Sequence, residues 1–157
     1  MGDPKKIGLK KIVSDSMEKL AFMFFASDAF REPIPFQDAV TAEVAFTGVF
    51  SGRLAMVMTE PSLKELAANM LGIDDEDVEQ NHLHDALKET VNIVCGNWLP
   101  IEGGDEAVFH IDAPRVLSPS EAAAALTGQS PAILEKMSVD DEPCDIYFFR
   151  DDADKLA

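Results

Sequence analysis

The sequence predicts an α/β fold of the α+β type, an antiparallel sheet with two long pseudo-symmetric helices packed on it. Three observations lead there. Residues 5–27 and 80–99 carry apolar side chains at helical period. Residues 40–47, 53–59, 132–139 and 144–150 have the short alternating pattern of strands joined by tight turns. Finally, the spacing Asp85, Glu89, Asn92 in the second long helix has a faint copy, Ser14, Glu18, Ala21, in the first.

Taken in order, residues 5–27 read as a helix with Leu9, Val13, Leu20 and Phe24 on its main apolar stripe, followed by a loop holding Pro33 and Pro35. Residues 40–47 and 53–59 form a hairpin about Ser51-Gly52, with Val44 and Phe46 facing one way and Leu54, Met56 and Met58 sharing a face. A short helix starts at Pro61 and stops at Leu71-Gly72, the usual boundary chemistry of Pro in the first turn and Gly after the last. An acidic loop over 74–79 leads into the helix at 80–99, which Pro100 is expected to end or kink. Residues 106–112 read as a strand, 118–128 as a short capped helix, and 132–139 and 144–150 as closing strands around a turn at 140–143.

With 157 residues, 46% of them hydrophobic, and no Pro/Gly/Ser linker, the chain 1–157 is expected to form a single domain, with 151–157 a frayed tail. Lysines at 5, 6, 10 and 11 are not followed by the unbroken apolar run of a signal peptide or membrane span, so a cytoplasmic location is expected. A net charge of −16, with 13 Lys and Arg among 29 acids, argues against nucleic acid and against an anionic membrane surface. The acidic runs at 74–79, 140–142 and 151–154 read as solvated loops and tail. Cys95 and Cys144 lack zinc-type spacing and are read as packing residues. His82 and His84 point to different sides of a helix and His110 has no ligand-like neighbour, so no metal is assigned.

The helix at 80–99 carries the chemistry. At roughly 100° per residue, Asp85, Glu89, Asn92 and Gly96 fall within about 60° around its axis. Leu83, Leu87, Val91, Val94, Cys95 and Trp98 form the opposite, core-facing stripe, so the polar set points outward. Charged stripes are commonly just solvated faces. Asn92 and Gly96 argue for more, because both are mediocre inside helices, Gly costing about 1 kcal/mol against Ala. Bare backbone beside a projecting amide leaves room for another molecule to come close.

At these residues the chain resembles the chemotaxis phosphatases typified by CheC, CheX and FliY, whose pattern is Asp or Ser, three residues, Glu, two residues, Asn, and a Pro about two dozen residues on. Asp85, Glu89, Asn92 and Pro114 stand at those places. The similarity extends to Glu18-Lys-Leu-Ala21-Phe22, to Phe46-Thr-Gly48, Gly52 and Leu54, to Met70-Leu-Gly72 and to Gly96-Asn97. CheC-like members commonly carry two intact motifs and CheX-like members one, on the second long helix. Here the first copy has Ala21 in place of the amide and Phe25 where the second has Gly96, so the chain is closest to the single-motif members.

The resemblance implies hydrolysis of the aspartyl phosphate on a CheY-like response regulator. It implies that Asn92 orients the attacking water, that Glu89 pairs with a lysine beside the partner's phosphorylation site, and that Asp85 and Gly96 are partner contacts. An amide suits this role because phosphoryl transfer needs a positioned water more than covalent help. No cofactor of the chain's own is implied; Mg²⁺ is expected in the partner regulator, and a homodimer joined through strand edges is expected. The competing reading is a catalytically silent scaffold module of the same fold, comparable to flagellar switch relatives, and a third is an unrelated acidic adaptor. Asn92 discriminates between them, since a scaffold has no use for a lone amide beside a glycine on an acidic stripe.

Overall fold

The computed structural model of the chain describes residues 8–151. The first helix, α1, spans Leu9–Ala21 with Leu9, Val13 and Met17 buried against the core. It is shorter than the expected 5–27: residues 5–7 lie outside those described, and 22–27 are not helical. Phe22 takes a left-handed conformation, φ 55°, and donates its N–H to Glu18 O, while Met23 N–H reaches Met17 O. These bonds satisfy the last carbonyls and stop the helix, a place more often given to Gly. Beyond the cap Met23 and Phe25 are buried and Phe24 is 71% exposed, the alternation of extended chain. Phe24 is therefore not on a helical stripe, and Phe25 is not the helical counterpart of Gly96. An aromatic run is apolar at either period, so its pattern does not decide between them; the cap at Phe22 does.

The next elements follow the expected order. Strand β1 (Ala26–Ser27) is followed by a loop with a single 3₁₀ turn at Phe36–Asp38, then by the hairpin β2 (Val40–Gly48) and β3 (Gly52–Met58). Helix α2 (Glu60–Leu71) ends on Gly72 at φ 68°. Helix α3 (Gln80–Gly103) is started by a capping box in which Glu79 and His82 exchange side-chain and backbone bonds. It runs past Pro100 rather than ending there, because a proline near the end of a helix removes only one backbone bond, the one to Gly96 O.

Strands β4 (Phe109–Ile111) and β5 (Arg115–Leu117) come next, in place of one strand over 106–112. Helix α4 (Pro119–Thr127) follows, started by the Ser118–Glu121 capping box. The hairpin β6 (Ile133–Val139) and β7 (Glu142–Arg150) closes the chain, turning at Asp140 and Asp141, both at positive φ.

All pairings are antiparallel, in the order β1-β6-β7-β3-β2-β4, with β5 also on β2. The order exposes the repeat that the sequence only hints at. Each long helix leads to a short edge strand and each half contains a hairpin. The two hairpins meet through β3 and β7, and each edge strand pairs with the other half's hairpin: β1 with β6, β4 with β2. Close approach at this seam requires Gly52, where a Cβ would overlap the Phe149 carbonyl oxygen.

Both faces of the sheet are covered. The front carries α1, α2 and α3 over Val44, Phe46, Leu54, Met56, Met58, Ile146 and Phe148, around Trp98. The back carries α4 and the loop before β2 over Ala55, Val57, Tyr147 and Phe149. Residues 144–149 of β7 are consequently buried without alternation. Two charge clusters hold the back layer. Arg31 reaches Asp145, which is fully buried, at 2.7 Å, and directs Nη2 to Met137 O and Cys144 O, while Asp145 Oδ2 accepts from Ile34 N–H. Buried Glu43 bridges Arg53 and Arg115, and Arg53 donates to Ala125 O near the end of α4. Among the described residues, no helix is long and apolar enough to cross a membrane.

Candidate functional site

α3 is held to the body by Leu83, Ala86, Leu87, Val91, Val94, Cys95, Trp98 and Leu99, all buried. The helix period then fixes what faces outward: Asp85, Glu89, Asn92 and Gly96 are all exposed. The four residues of the predicted site therefore share one open surface. Among the described residues none bonds the Asn92 or Glu89 side chain, so both are available to an incoming molecule. Asp85 lies 3.6 Å from Lys88 Nζ, a solvated pair of little energetic weight.

Gly96 sits one turn beyond Asn92 in open space. A Cβ there would have no atom within 4 Å, so the protein's own packing does not require glycine at this position. Its carbonyl is also free of the usual helix bond, because Pro100, four residues on, has no N–H to give. Backbone and amide are thus exposed together. The neighbouring Asn97 turns instead to α1, donating to Ser16 Oγ at 3.3 Å and tying the two helices side by side.

The first copy of the motif offers no second site of this kind. Ser14 Oγ donates to Phe25 O, and Ala21, in the place of the amide, is fully buried. Pro114, half-buried, lies between β4 and β5, off α3. Cys95 lies on the apolar side of α3, where burial pushes its thiol up to about 12, and burial raises Cys144 too; both stay protonated and unreactive. Among the described residues no group of three or more His, Cys, Asp or Glu is arranged to hold a metal ion.

One feature of this surface is not legible in the sequence. A cleft of about 360 Å³ opens between the end of α2 and α3, lined by Met70, Leu71, His82, Asp85, Ala86 and Glu89. Only the packing of α2 on α3 creates it. The sole local sign was an apolar residue, Leu71, placed directly before the helix-ending Gly72.

Several solved structures share the fold. A chain of the CheX–CheY–BeF3–Mg²⁺ complex from Borrelia burgdorferi superposes with a TM-score of 0.71 at 15% identity, covering 92% of this chain and 96% of that one. CheX from Vibrio vulnificus gives 0.70 at 18% identity, covering 91% and 93%. FliY from Thermotoga maritima gives 0.56 at 14% identity, covering 93% and 85%. No curated protein matches the chain in sequence. The family model described as chemotaxis phosphatase CheX matches residues 40–137, which include α3 and its exposed stripe, and the chain belongs to the CheX family.

Proposed function

We propose that the chain hydrolyses the aspartyl phosphate of a CheY-type response regulator, with Asn92 entering the partner's site to orient the attacking water. The observation that carries this reading is the exposed Asn92 carboxamide, without a bonding partner among the described residues, beside the empty position at Gly96. A carboxamide both donates and accepts, so it can hold a water in line with phosphorus while remaining uncharged next to the phosphoryl oxygens. Glu89, one turn back, pairs with a lysine beside the partner's phosphorylation site and sets the register of docking. Asp85 adds a contact at the edge. The divalent cation is the partner's; the Borrelia complex combines CheX with CheY, BeF3 and Mg²⁺, and BeF3⁻ is shaped like a phosphoryl group.

The direct experiment follows the decay of a phosphorylated CheY-type regulator with and without the protein. Faster decay that rises with protein concentration supports the reading, and identical curves refute it. Because the chain carries −16 and response regulators are often acidic as well, encounter is slowed at long range while Glu89 attracts locally. Added salt is expected to speed association, measurable by stopped-flow. The same reading carries a homodimer joined through sheet edges, since among the described residues β1 and the Asp28 N–H cover the outer edge of β6 only at residues 136–138.

Gly96 provides a prediction that separates stability from function. Gly96→Ala places a methyl in open space on a helix and is expected to stabilise the fold by about 1 kcal/mol, read as a raised Tm. The same methyl fills the gap beside Asn92, and kcat/KM is expected to fall roughly tenfold through misplacement of the amide.

A further inference from the structure

Leu71 is the last residue of α2 and is 51% exposed. Gly72, at φ 68°, turns the chain away immediately afterwards, and among the described residues no following segment covers it. Beside it the half-buried Met70 has its sulfur 3.6 Å from the Thr90 hydroxyl, which donates to Ala86 O, and Ala86 is buried. The cleft these residues floor is apolar below, and its rim carries two carboxylates, Asp85 and Glu89, with the half-buried His82 beside them, its Nδ1 taken by the Glu79 N–H. Its volume of about 360 Å³ is of the size that holds a discrete group. Such a hollow is complementary to an apolar side chain flanked by a cation, and poorly suited to an anion.

The cleft is continuous with the site, since Asp85 and Glu89 belong both to its rim and to the stripe that ends at Asn92 and Gly96. A protein that places its phosphorylated residue over Asn92, about 4.5 Å along the axis from Glu89, extends across this hollow. We infer that the cleft between α2 and α3 takes an apolar side chain of the phosphorylated regulator together with an adjacent lysine or arginine, and that Leu71 is a docking residue that sets affinity for that partner. This rests on the proposed function and deepens it. Asp85, held only loosely by Lys88, meets the cation; Leu71, Met70 and Ala86 cover the apolar group and exclude water from the ion pair.

The test uses a CheY-type regulator activated with BeF3⁻ and Mg²⁺ for affinity, and its phosphorylated form for turnover. Leu71→Lys puts a cation at the C-terminal end of α2, where the helix dipole favours it, so the fold is expected to keep its Tm. Within the cleft that cation repels the partner's cation and displaces the apolar group. Kd and KM are expected to rise about tenfold with kcat unchanged, and the penalty to shrink at high salt. Leu71→Met, which keeps an apolar side chain of similar volume, is expected to bind like the original. An unchanged Kd for Leu71→Lys, with the original protein still binding and dephosphorylating the regulator, overturns this inference and leaves the proposed function standing. If the original protein neither binds nor speeds decay, the proposed function itself fails.

Discussion

Replacing Asn92 with Ala is expected to lower the accelerated dephosphorylation of the regulator by roughly 10²-fold or more while leaving Kd for the activated regulator within about twofold. The separation follows from position. Among the described residues the carboxamide has no partner, so its removal unsatisfies nothing. Alanine is the better helix former, and Tm is expected to hold or rise slightly. The loss thus falls on kcat. Glu89 is the reciprocal case: Glu89→Gln removes the charge proposed to dock the partner and is expected to act first on KM. A variant at Asn92 that lowers kcat and weakens binding equally would mark it as a contact residue only.

The largest effect on stability is expected at Asp145. Its carboxylate is fully buried, 2.7 Å from the Arg31 guanidinium, and accepts the Ile34 N–H at 2.7 Å. Asp145→Ala leaves the Arg31 guanidinium with only the half-exposed Asp28, 3.3 Å away, as its counter-ion and leaves a backbone donor without its acceptor, and is expected to cost about 3 kcal/mol, read by denaturant unfolding. Because Arg31 also holds Met137 O and Cys144 O, the loosened element is the loop that covers the back of β6 and β7. The stripe on α3 lies across the sheet from it. In molecules that remain folded kcat is therefore expected to persist, which distinguishes this lesion from Asn92→Ala. Asp145→Asn keeps an acceptor for Ile34 and is expected to cost less.

What could be read from the sequence was whatever depends on local period. The outward stripe of α3 follows from 3.6 residues per turn and an unambiguous apolar face, and all four of its residues are exposed as expected. The β2–β3 and β6–β7 hairpins follow from alternation and turn residues. The α4 helix follows from its Ser118–Glu121 box.

What could not be read depends on contacts far apart in the chain. The aromatic run at 22–25 satisfies a helix and an extended strand equally well, and only the cap at Phe22 decides between them. β5 has three residues and exists because β2 has a free edge beside it. The place of α4 on the back face is fixed by Arg53, held by Glu43 and reaching Ala125 O from the other side of the sequence. The Leu71 cleft arises from the approach of two helices separated by the acidic loop. The exposed stripe was legible because it lies on one helix; the cleft was not, because it lies between two.

Whether the outward amide on α3 readies water for the partner's acyl phosphate is decided by a structure of this protein bound to a CheY-type regulator carrying BeF3⁻ and Mg²⁺. The Asn92 carboxamide is expected within about 3 Å of a water, or of the vacant water position, in line with the beryllium–oxygen bond, with Glu89 paired to a lysine of the regulator. A complex in which Asn92 stays in solvent, or in which the regulator sits on another face of the protein, would contradict it.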